Sequence, residues 1–133
     1  MYQPSPRAVH RTPVQMRFAD TDALGHVNNG SFVVYTEIAR LAFFRAIGSE
    51  VRSLILARVA VDFRKQVLFE AEVVVDTWVG RIGTTSVTLQ QVIRANDIVA
   101  TEIESVVVSY DYENQRSSPW TMETRAALER HQR

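Results

Sequence analysis

The segment from Phe18 to Gly30, FADTDALGHVNNG, concentrates side chains that could carry out chemistry. It holds two carboxylates, Asp20 and Asp22, together with His26 and two asparagines, directly before an apolar run that begins at Ser31. A carboxylate can attack a carbonyl carbon or activate a water molecule, and a histidine can donate a proton or a hydrogen bond. Aspartate is also common in ordinary turns. The segment therefore indicates either a simple loop before a helix or an active site built at the beginning of that helix.

The residues after this loop have the period of a helix. Apolar side chains recur every three or four positions over Ser31–Ile47, Asn28 or Asn29 can supply the N-cap, and Gly48 follows as the stop. The first backbone N–H groups of such a helix, near Asn29 and Gly30, have no partner within the helix and carry the positive end of its dipole. Because little of the helix is polar, we expect it to be buried on most sides.

A period of two predicts strands in much of the remaining chain. We expect a short strand over Val14–Phe18 and, after a loop at residues 49–53, four long strands in RVAVDFRKQV, EVVVDTWVG, TTSVTLQQVIR and IVATEIESVVVSYDY. The short connections between these four predict antiparallel hairpins. Ser118 then caps a closing helix, which has Pro119 at its first position and runs to about Arg130. Because no βαβ alternation occurs, the pattern predicts an α+β fold in which one curved antiparallel sheet wraps around the long helix.

The composition limits both the domain organisation and the function. With 133 residues the chain is expected to form one domain over residues 14–133, preceded by a flexible, proline-containing arm over residues 1–13. Lys+Arg and Asp+Glu number 15 each, without a basic cluster, so a nucleic-acid partner is not expected. The absence of cysteine excludes disulfides, thiolate metal sites and cysteine nucleophiles.

The hydropathy pattern bears on location and assembly. No apolar run has the length of a signal peptide core or a membrane span, so we expect a cytoplasmic protein without a membrane partner. A single curved sheet leaves an apolar face or edge partly uncovered, and pairing of two copies is the usual remedy. We therefore expect a homodimer or homotetramer.

Three stretches resemble the hotdog-fold acyl-CoA thioesterases of the 4-hydroxybenzoyl-CoA thioesterase family: RFADTDALGHVNNGSFVVYTEIAR, VDFRKQV and GRIGTTSVTL. The resemblance extends from Val14 to about Tyr112. It implies the hotdog fold and the hydrolysis of an acyl thioester to a carboxylic acid and free coenzyme A. It also implies that Asp22 is the catalytic carboxylate, acting as a nucleophile or as the base for water, and that no metal or cofactor is needed beyond the coenzyme A of the substrate. The spacing of Asp20, Asp22 and His26 is in any case poor for zinc.

The same resemblance implies roles for further residues around the helix. His26 is either a general acid or substrate hydrogen-bond donor, or a loop histidine packed against carbonyl groups. Asn29 is favoured for its backbone N–H, which with that of Gly30 would hold the oxyanion. Glu37 matches an acidic position that lies near the site in the family, although exposure to solvent or a pair with Arg40 is an equal alternative.

A second group of residues is expected to bind the coenzyme A phosphates. The resemblance implies that the turn with Arg81, Thr85 and Ser86 meets the phosphates at the mouth of the site, where it offers a charge, hydroxyls and backbone N–H groups. Arg64 and Lys65 are further candidates for the nucleotide. Each of these residues also suits an ordinary hairpin turn or a solvated strand end.

Three other functions are alternatives to acyl-CoA hydrolysis. The D-x-N-P-x-H signature of hotdog hydratases is absent, because His26 lies four residues after Asp22 without an intervening proline. A non-catalytic acyl-CoA-binding module is possible, but it would need no carboxylate aimed at the thioester. A thioesterase acting on acyl-carrier-protein thioesters is not separated by the sequence, since the phosphopantetheine arm is shared. The identity of the acyl group is not predicted.

Overall fold

A computed structural model describes residues 9–133 of the chain, and residues 1–8 of the expected arm lie outside the described part. Within it, six strands and two α-helices follow one another as β1 (His10–Val14), α1 (Asn29–Ala46), β2 (Leu54–Phe63), β3 (Val73–Ile82), β4 (Ser86–Ala95), β5 (Ile98–Asp111), β6 (Arg116–Ser117) and α2 (Met122–Arg130). The strands form an antiparallel sheet in the order β1-β3-β4-β5-β2, and β6 pairs with β5. The predicted α+β fold, one curved antiparallel sheet around a long helix, is confirmed. No helix in residues 9–133 combines the length and hydropathy needed to cross a lipid bilayer.

Helix α1 begins and ends at local sequence signals. The side chain of Asn28, whose backbone is extended, accepts a hydrogen bond of 2.8 Å from the backbone N–H of Ser31. This is the geometry of an N-cap, which satisfies one of the free donors at the helix start. At the other end, Gly48 has a φ of 78°, a left-handed conformation that glycine adopts without steric cost. The predicted cap and stop are therefore both found.

The burial of α1 differs from the prediction. The helix buries one face, which includes Phe32, Tyr35 and Phe43, but Val33, Val34 and Ile38 are exposed on the other. The expectation that most sides would be buried is wrong for the single chain. The reason is that α1 packs mainly against β1 and β3, so the part of the sheet near β2 does not cover it.

Two apolar clusters pack against successive halves of α1. The first includes Phe32, Tyr35 and Ala39 from the helix with strand residues such as Val75, and the second includes Phe43 and Phe44 with strand residues and α2. Their members from the sheet and α2 are Val14, Val73, Val75, Ile93, Ala100 and Ile103 in the first cluster, and Val79, Val87, Leu89, Val107 and Leu128 in the second.

A buried polar seam lies beside these clusters. The side-chain amide of Gln91 on β4 donates hydrogen bonds of 3.1 Å to the backbone oxygen of Thr36 and to the hydroxyl of Thr77 on β3. All three residues are at most 1% exposed. Because burial of an unpaired polar group is costly, these two hydrogen bonds fix where the middle of the helix lies over the sheet.

The first strand lies earlier in the chain than predicted. Val14–Phe18 is not a strand: β1 covers His10–Val14, and Phe18–Asp20 forms a turn of 3₁₀-helix. The last residues of the expected arm are thus paired with β3. The prolines of this segment predict an extended arm. Pro13 nevertheless fits in β1, because β1 is an edge strand and an outward position there needs no N–H donor.

Strand β2 has a different neighbour from the predicted one. The hairpin expected between β2 and β3 does not form, because the connection over residues 64–72 crosses the sheet and β2 pairs with β5. The other two expected hairpins, β3–β4 and β4–β5, are present. Strand β2 is therefore at the edge of the sheet, and its second edge is unpaired among the described residues.

The closing helix begins later than predicted. Thr121, not Ser118, is the N-cap of α2, and its hydroxyl accepts a hydrogen bond of 3.1 Å from the N–H of Thr124. Ser118 instead donates its backbone N–H to Ser109 of β5, and Trp120 donates its own to Thr84. The residues before α2 therefore follow the end of the sheet.

Candidate active site

A cavity of about 450 Å³ opens at the N-terminal end of α1. It is lined by residues of the loop, the start of α1, and the end of β2, namely Asp22, Leu24, His26, Val27, Asn28, Asn29, Phe32, Phe63, Arg64, Lys65 and Gln66. Four of the residues predicted for the site, Asp22, His26, Asn29 and Arg64, thus line one cavity.

A buried carboxylate attaches the loop to α1. Asp20 is 4% exposed, and its carboxylate accepts hydrogen bonds from the hydroxyl of Tyr35 at 2.7 Å and from the backbone and guanidinium of Arg17 at 3.0 Å each. Its backbone oxygen accepts from the N–H of Asn28 and the hydroxyl of Ser31, at 2.9 and 3.1 Å. Asp20 therefore connects both ends of the loop to the first two turns of the helix.

The environment of this pair favours an ionised Asp20 and a neutral Tyr35. Burial by itself raises the pKa of Asp20, but the hydrogen bonds from Arg17 and Tyr35 outweigh it and hold the pKa below its usual range. Burial, and then the hydrogen bond to Asp20, raises the pKa of the Tyr35 hydroxyl far above its ordinary value. The tyrosine hydroxyl therefore stays protonated, and a donor, at neutral pH.

The two oxygens of Asp22 differ in their surroundings. Oδ1 accepts hydrogen bonds from the backbone N–H groups of Leu24, at 2.9 Å, and His26, at 3.2 Å. The N–H of Asp22 donates to the backbone oxygen of His26 at 2.7 Å, and Gly25 completes the turn with a φ of 85°. No donor from residues 9–133 contacts Oδ2. The backbone therefore orients the carboxylate through one oxygen and leaves the other available.

The first two backbone N–H groups of α1, those of Asn29 and Gly30, are free donors among the described residues. The N–H of Ser31 is bound by the Asn28 side chain, and that of Phe32 donates to the Asn28 backbone oxygen at 3.4 Å. Among the described residues, no acceptor lies within hydrogen-bonding range of the N–H groups of Asn29 and Gly30. A Cβ atom at position 30 would lie 3.2 Å from the capping oxygen of Asn28, so glycine keeps the cap uncrowded. These two donors can therefore bind an anionic oxygen.

Basic and aromatic side chains line the opposite wall of the cavity. Arg64 forms ion pairs with Glu102 at 3.2 Å and with Asp62 at 3.7 Å, so its charge is partly neutralised. The rings of Phe32 and Phe63 are 5.8 Å apart between centroids and provide apolar surface. The two phenylalanines were not predicted as site residues, although helical spacing and strand alternation placed them in α1 and β2.

Glu37 lies outside this cavity. It is on α1, about 12 Å further along the axis than Asn29 at the usual rise per residue, and is exposed. With Arg40 it lines a separate cavity of about 140 Å³, but the two form no ion pair within 4.0 Å. In the single chain, this placement does not support a direct role for Glu37 beside Asp22.

The turn with Arg81, Thr85 and Ser86 is also remote from the cavity. It lies at the other end of the sheet, where the side chain of Trp120 donates to the backbone oxygen of Ser86 at 3.0 Å. The guanidinium of Arg125 donates to the backbone oxygen of the neighbouring Gly83. A role for this turn at the site would require a second copy of the chain.

Comparison with known proteins identifies the family and supports the fold. A family model described as the thioesterase-like superfamily matches residues 16–128. A solved structure described as a predicted thioesterase from Bacillus stearothermophilus is 30% identical, with a TM-score of 0.86 over 95% of this chain and 98% of that one. A thioesterase from Thermus thermophilus, in complex with coenzyme A and Zn, is also 30% identical, with a TM-score of 0.82 over 89% and 95% of the two chains.

More distant structures share the fold alone. A DHNA-CoA thioesterase from Staphylococcus aureus is 20% identical and has a TM-score of 0.80 over 91% of this chain and 89% of that one. No curated protein matches the sequence.

In residues 9–133, no group of three or more His, Asp or Glu side chains is arranged to hold a metal ion.

The anchoring hydrogen bond between Tyr35 and Asp20 can be tested by stability. We expect Tyr35→Phe to lower the free energy of unfolding by about 2 kcal/mol at neutral pH, because a buried carboxylate loses one donor. The pKa of Asp20 is lowered in the folded state, so its contribution is present above its unfolded pKa of about 3.9. The difference between variant and wild type should therefore shrink as the pH falls through the folded pKa of Asp20, below about 4.

Urea unfolding at several pH values measures this effect. Tyr112→Phe is the matched control, because Tyr112 is 56% exposed and makes only a ring contact with Tyr110. Equal stability of the two variants at neutral pH would contradict the anchoring role of Tyr35.

Proposed function

This chain belongs to the thioesterase-like superfamily and is a thioester hydrolase, and from that premise we propose that it cleaves acyl-CoA thioesters to a carboxylic acid and free coenzyme A. The observation that carries the proposal is the convergence of Asp22 and Asn29 on one cavity. Cleavage of a thioester requires an attacking oxygen and a stabiliser for the oxyanion that develops. The cavity offers both groups.

Asp22 supplies the attacking oxygen or activates it. With Oδ1 held by two backbone N–H groups, Oδ2 is free either to attack the thioester carbon directly or to take a proton from a water that attacks it. The thioester oxygen accepts hydrogen bonds from the N–H groups of Asn29 and Gly30, which are fixed by the cap of α1 and need no reorganisation during the reaction. His26 remains a candidate donor to the substrate from the same wall.

The coenzyme A portion binds at the basic rim of the cavity. Lys65 and Arg64 lie on this rim, and Lys65 makes no ion pair among the described residues, so its charge is available for a phosphate. The relative from Thermus thermophilus contains coenzyme A, which supports this class of substrate. Acyl-carrier-protein thioesters share the same arm and are the second substrate class to examine.

We further propose that the active protein is at least a homodimer. The unpaired edge of β2 and the exposed Val34 and Ile38 of α1 are surfaces that a second copy would cover. A two-fold arrangement would also bring residues of one copy to the cavity of the other. The remote turn with Arg81 is a candidate for this role.

Replacement of Asp22 tests the catalytic proposal. Asn retains an Oδ1 acceptor for the amides of Leu24 and His26, so Asp22→Asn should fold normally while losing the charge. We expect its kcat for acyl-CoA hydrolysis to fall by about 10²–10⁴-fold. Asp111→Asn is the matched control, because the Oδ1 of Asp111 also accepts two backbone N–H groups but lies at the far end of β5.

Steady-state hydrolysis of a panel of acyl-CoAs measures these rates. Wild-type turnover in Asp22→Asn would refute the role of this carboxylate. Tight binding of acyl-CoA by the wild type without any hydrolysis would instead identify a binding module.

The backbone N–H of Asn29 can be removed without breaking the helix. Position 29 is the first residue of α1, where proline is tolerated, and the preceding Asn28 already has the extended conformation that proline requires (φ −74°, ψ 157°). We expect Asn29→Pro to reduce kcat about 10²–10³-fold. Asn29→Ala keeps the N–H and removes only the amide side chain, so it should retain most activity. The reverse order of the two variants would assign the role to the side chain.

The assembly is tested by light scattering. We expect wild-type protein to have at least twice the mass of one 15.1 kDa chain, and Ile38→Glu to shift it towards the monomer, because a charge would be buried in an apolar interface. Met122→Glu is the control, since Met122 is 90% exposed and belongs to α2. A monomeric wild type at micromolar concentration would exclude the proposed assembly.

A further inference from the structure

The second cavity contains a buried cation without a partner. Arg40 is only 7% exposed, and its Nη1 atom is buried with no hydrogen-bond acceptor among the described residues. Its side chain lines the cavity of about 140 Å³. Apart from Glu37, the other walls of that cavity are apolar: Leu41, Phe44, Val51, Leu54, Leu56 and Val107. Burial lowers the pKa of Arg40 and the charge of the exposed Glu37 only partly offsets this, so a further acceptor from outside residues 9–133 would stabilise the guanidinium.

The same faces of α1 and β2 line both cavities. On the helix, Asn29 and Phe32 border the large cavity, and Arg40 and Phe44 border the small one. Successive positions in this series are three, eight and four residues apart. These spacings follow the helical period, so the four residues lie on one side of α1. On the strand, one row of apolar side chains passes between them, in the order Phe63, Val61, Val59, Leu56 and Leu54.

The two cavities therefore lie one after the other between α1 and β2, the first beside Asp22 and the second beside Arg40. Helix α1 packs mainly against β1 and β3, which leaves space beside β2. At the usual helical rise, Asn29 and Arg40 are about 16 Å apart along the axis.

We propose that the two cavities join into one groove between α1 and β2, that this groove holds the acyl group of the substrate, and that Arg40 binds a carboxylate at its far end. The preferred substrates are then coenzyme A thioesters of dicarboxylic acids. The inference rests on the proposed thioesterase function and names its substrate class.

The chemistry of arginine favours a carboxylate over a neutral group. Its guanidinium stays charged at any physiological pH, and its planar donors match the two oxygens of a carboxylate. The carboxylate of Glu37 does not already fill this role, because it is exposed and forms no ion pair with Arg40. A cavity of about 140 Å³ is close to the size that holds one benzene ring, which is enough for the end of an extended chain.

The first experiment compares substrates of matched length. Adipyl-, suberyl- and sebacyl-CoA are assayed against hexanoyl-, octanoyl- and decanoyl-CoA. We expect wild-type kcat/KM to favour the dicarboxylic member of at least one pair by about tenfold or more, the effect of one charge-assisted hydrogen-bonded pair. Equal values in all three pairs would overturn the proposal while leaving thioesterase activity intact.

The second experiment assigns the preference to Arg40. Arg40→Met removes the charge but keeps a long apolar side chain, so the preference should be lost through a lower kcat/KM for the dicarboxylic thioester, with that for the alkyl thioester unchanged or higher. Arg45→Met is the matched control, because Arg45 is exposed near the end of the same helix. A preference that persists in Arg40→Met would overturn the assignment. A variant that dissociates into monomers but keeps the preference would also overturn it. Arg40 would then pair with an acceptor from the second copy and not with the substrate.

Binding of the free acids tests the site without either the variant or turnover. We expect suberate to raise the Tm of the wild-type protein more than octanoate does at equal concentration, and the absence of a difference would count against the carboxylate site. If suberate stabilises the protein but no thioester is hydrolysed, the proposed function fails and the Arg40 site stands. If thioesters are hydrolysed without a suberate effect, only the Arg40 site fails.

Discussion

The hydrogen bond from the Tyr35 hydroxyl to the Asp20 carboxylate joins the loop that carries Asp22 to the helix whose first amides face the same cavity. Both partners are buried, so the loop cannot move away from the helix without exposing an unpaired carboxylate or hydroxyl. The separation between the Asp22 carboxylate, which is proposed to attack, and the amide of Asn29 depends on this contact. A thioesterase needs that separation to be constant, because an error of about 1 Å in such a site is costly.

The position of α1 over the sheet has two consequences. Because the helix lies nearer β1 and β3, its inner face, with Phe32 and Tyr35, is buried, and its first turn is capped by Asn28. The same displacement leaves β2 and one face of the helix uncovered, with Val34 and Ile38 exposed. The surface left uncovered borders both the proposed acyl groove and the proposed contact with a second copy. Substrate binding and assembly therefore depend on adjacent parts of one surface.

Local features were predicted better than distant ones. The cap at Asn28, the stop at Gly48 and the grouping of Asp22 with Asn29 depend on residues close in sequence, so their types and spacing were sufficient. The partner of β2 and the position of the Arg81 turn depend on how the sheet closes, which periodicity does not encode. Arg40 was seen only as a partner for Glu37, because a charged side chain in a helix gives no sign that it will be enclosed by the fold.

The polar seam formed by Gln91, Thr36 and Thr77 divides the interior near the middle of α1. On one side lies the cluster next to the loop that carries Asp22, and on the other the cluster completed by Leu128 of α2. Changes in packing propagate between apolar side chains that are in contact. The hydrogen bonds of the seam hold their partners in a defined geometry, so such changes are expected to be smaller beyond it. Repacking of the half of the molecule near α2 should therefore leave the loop with Asp22 at the opposite end largely undisturbed.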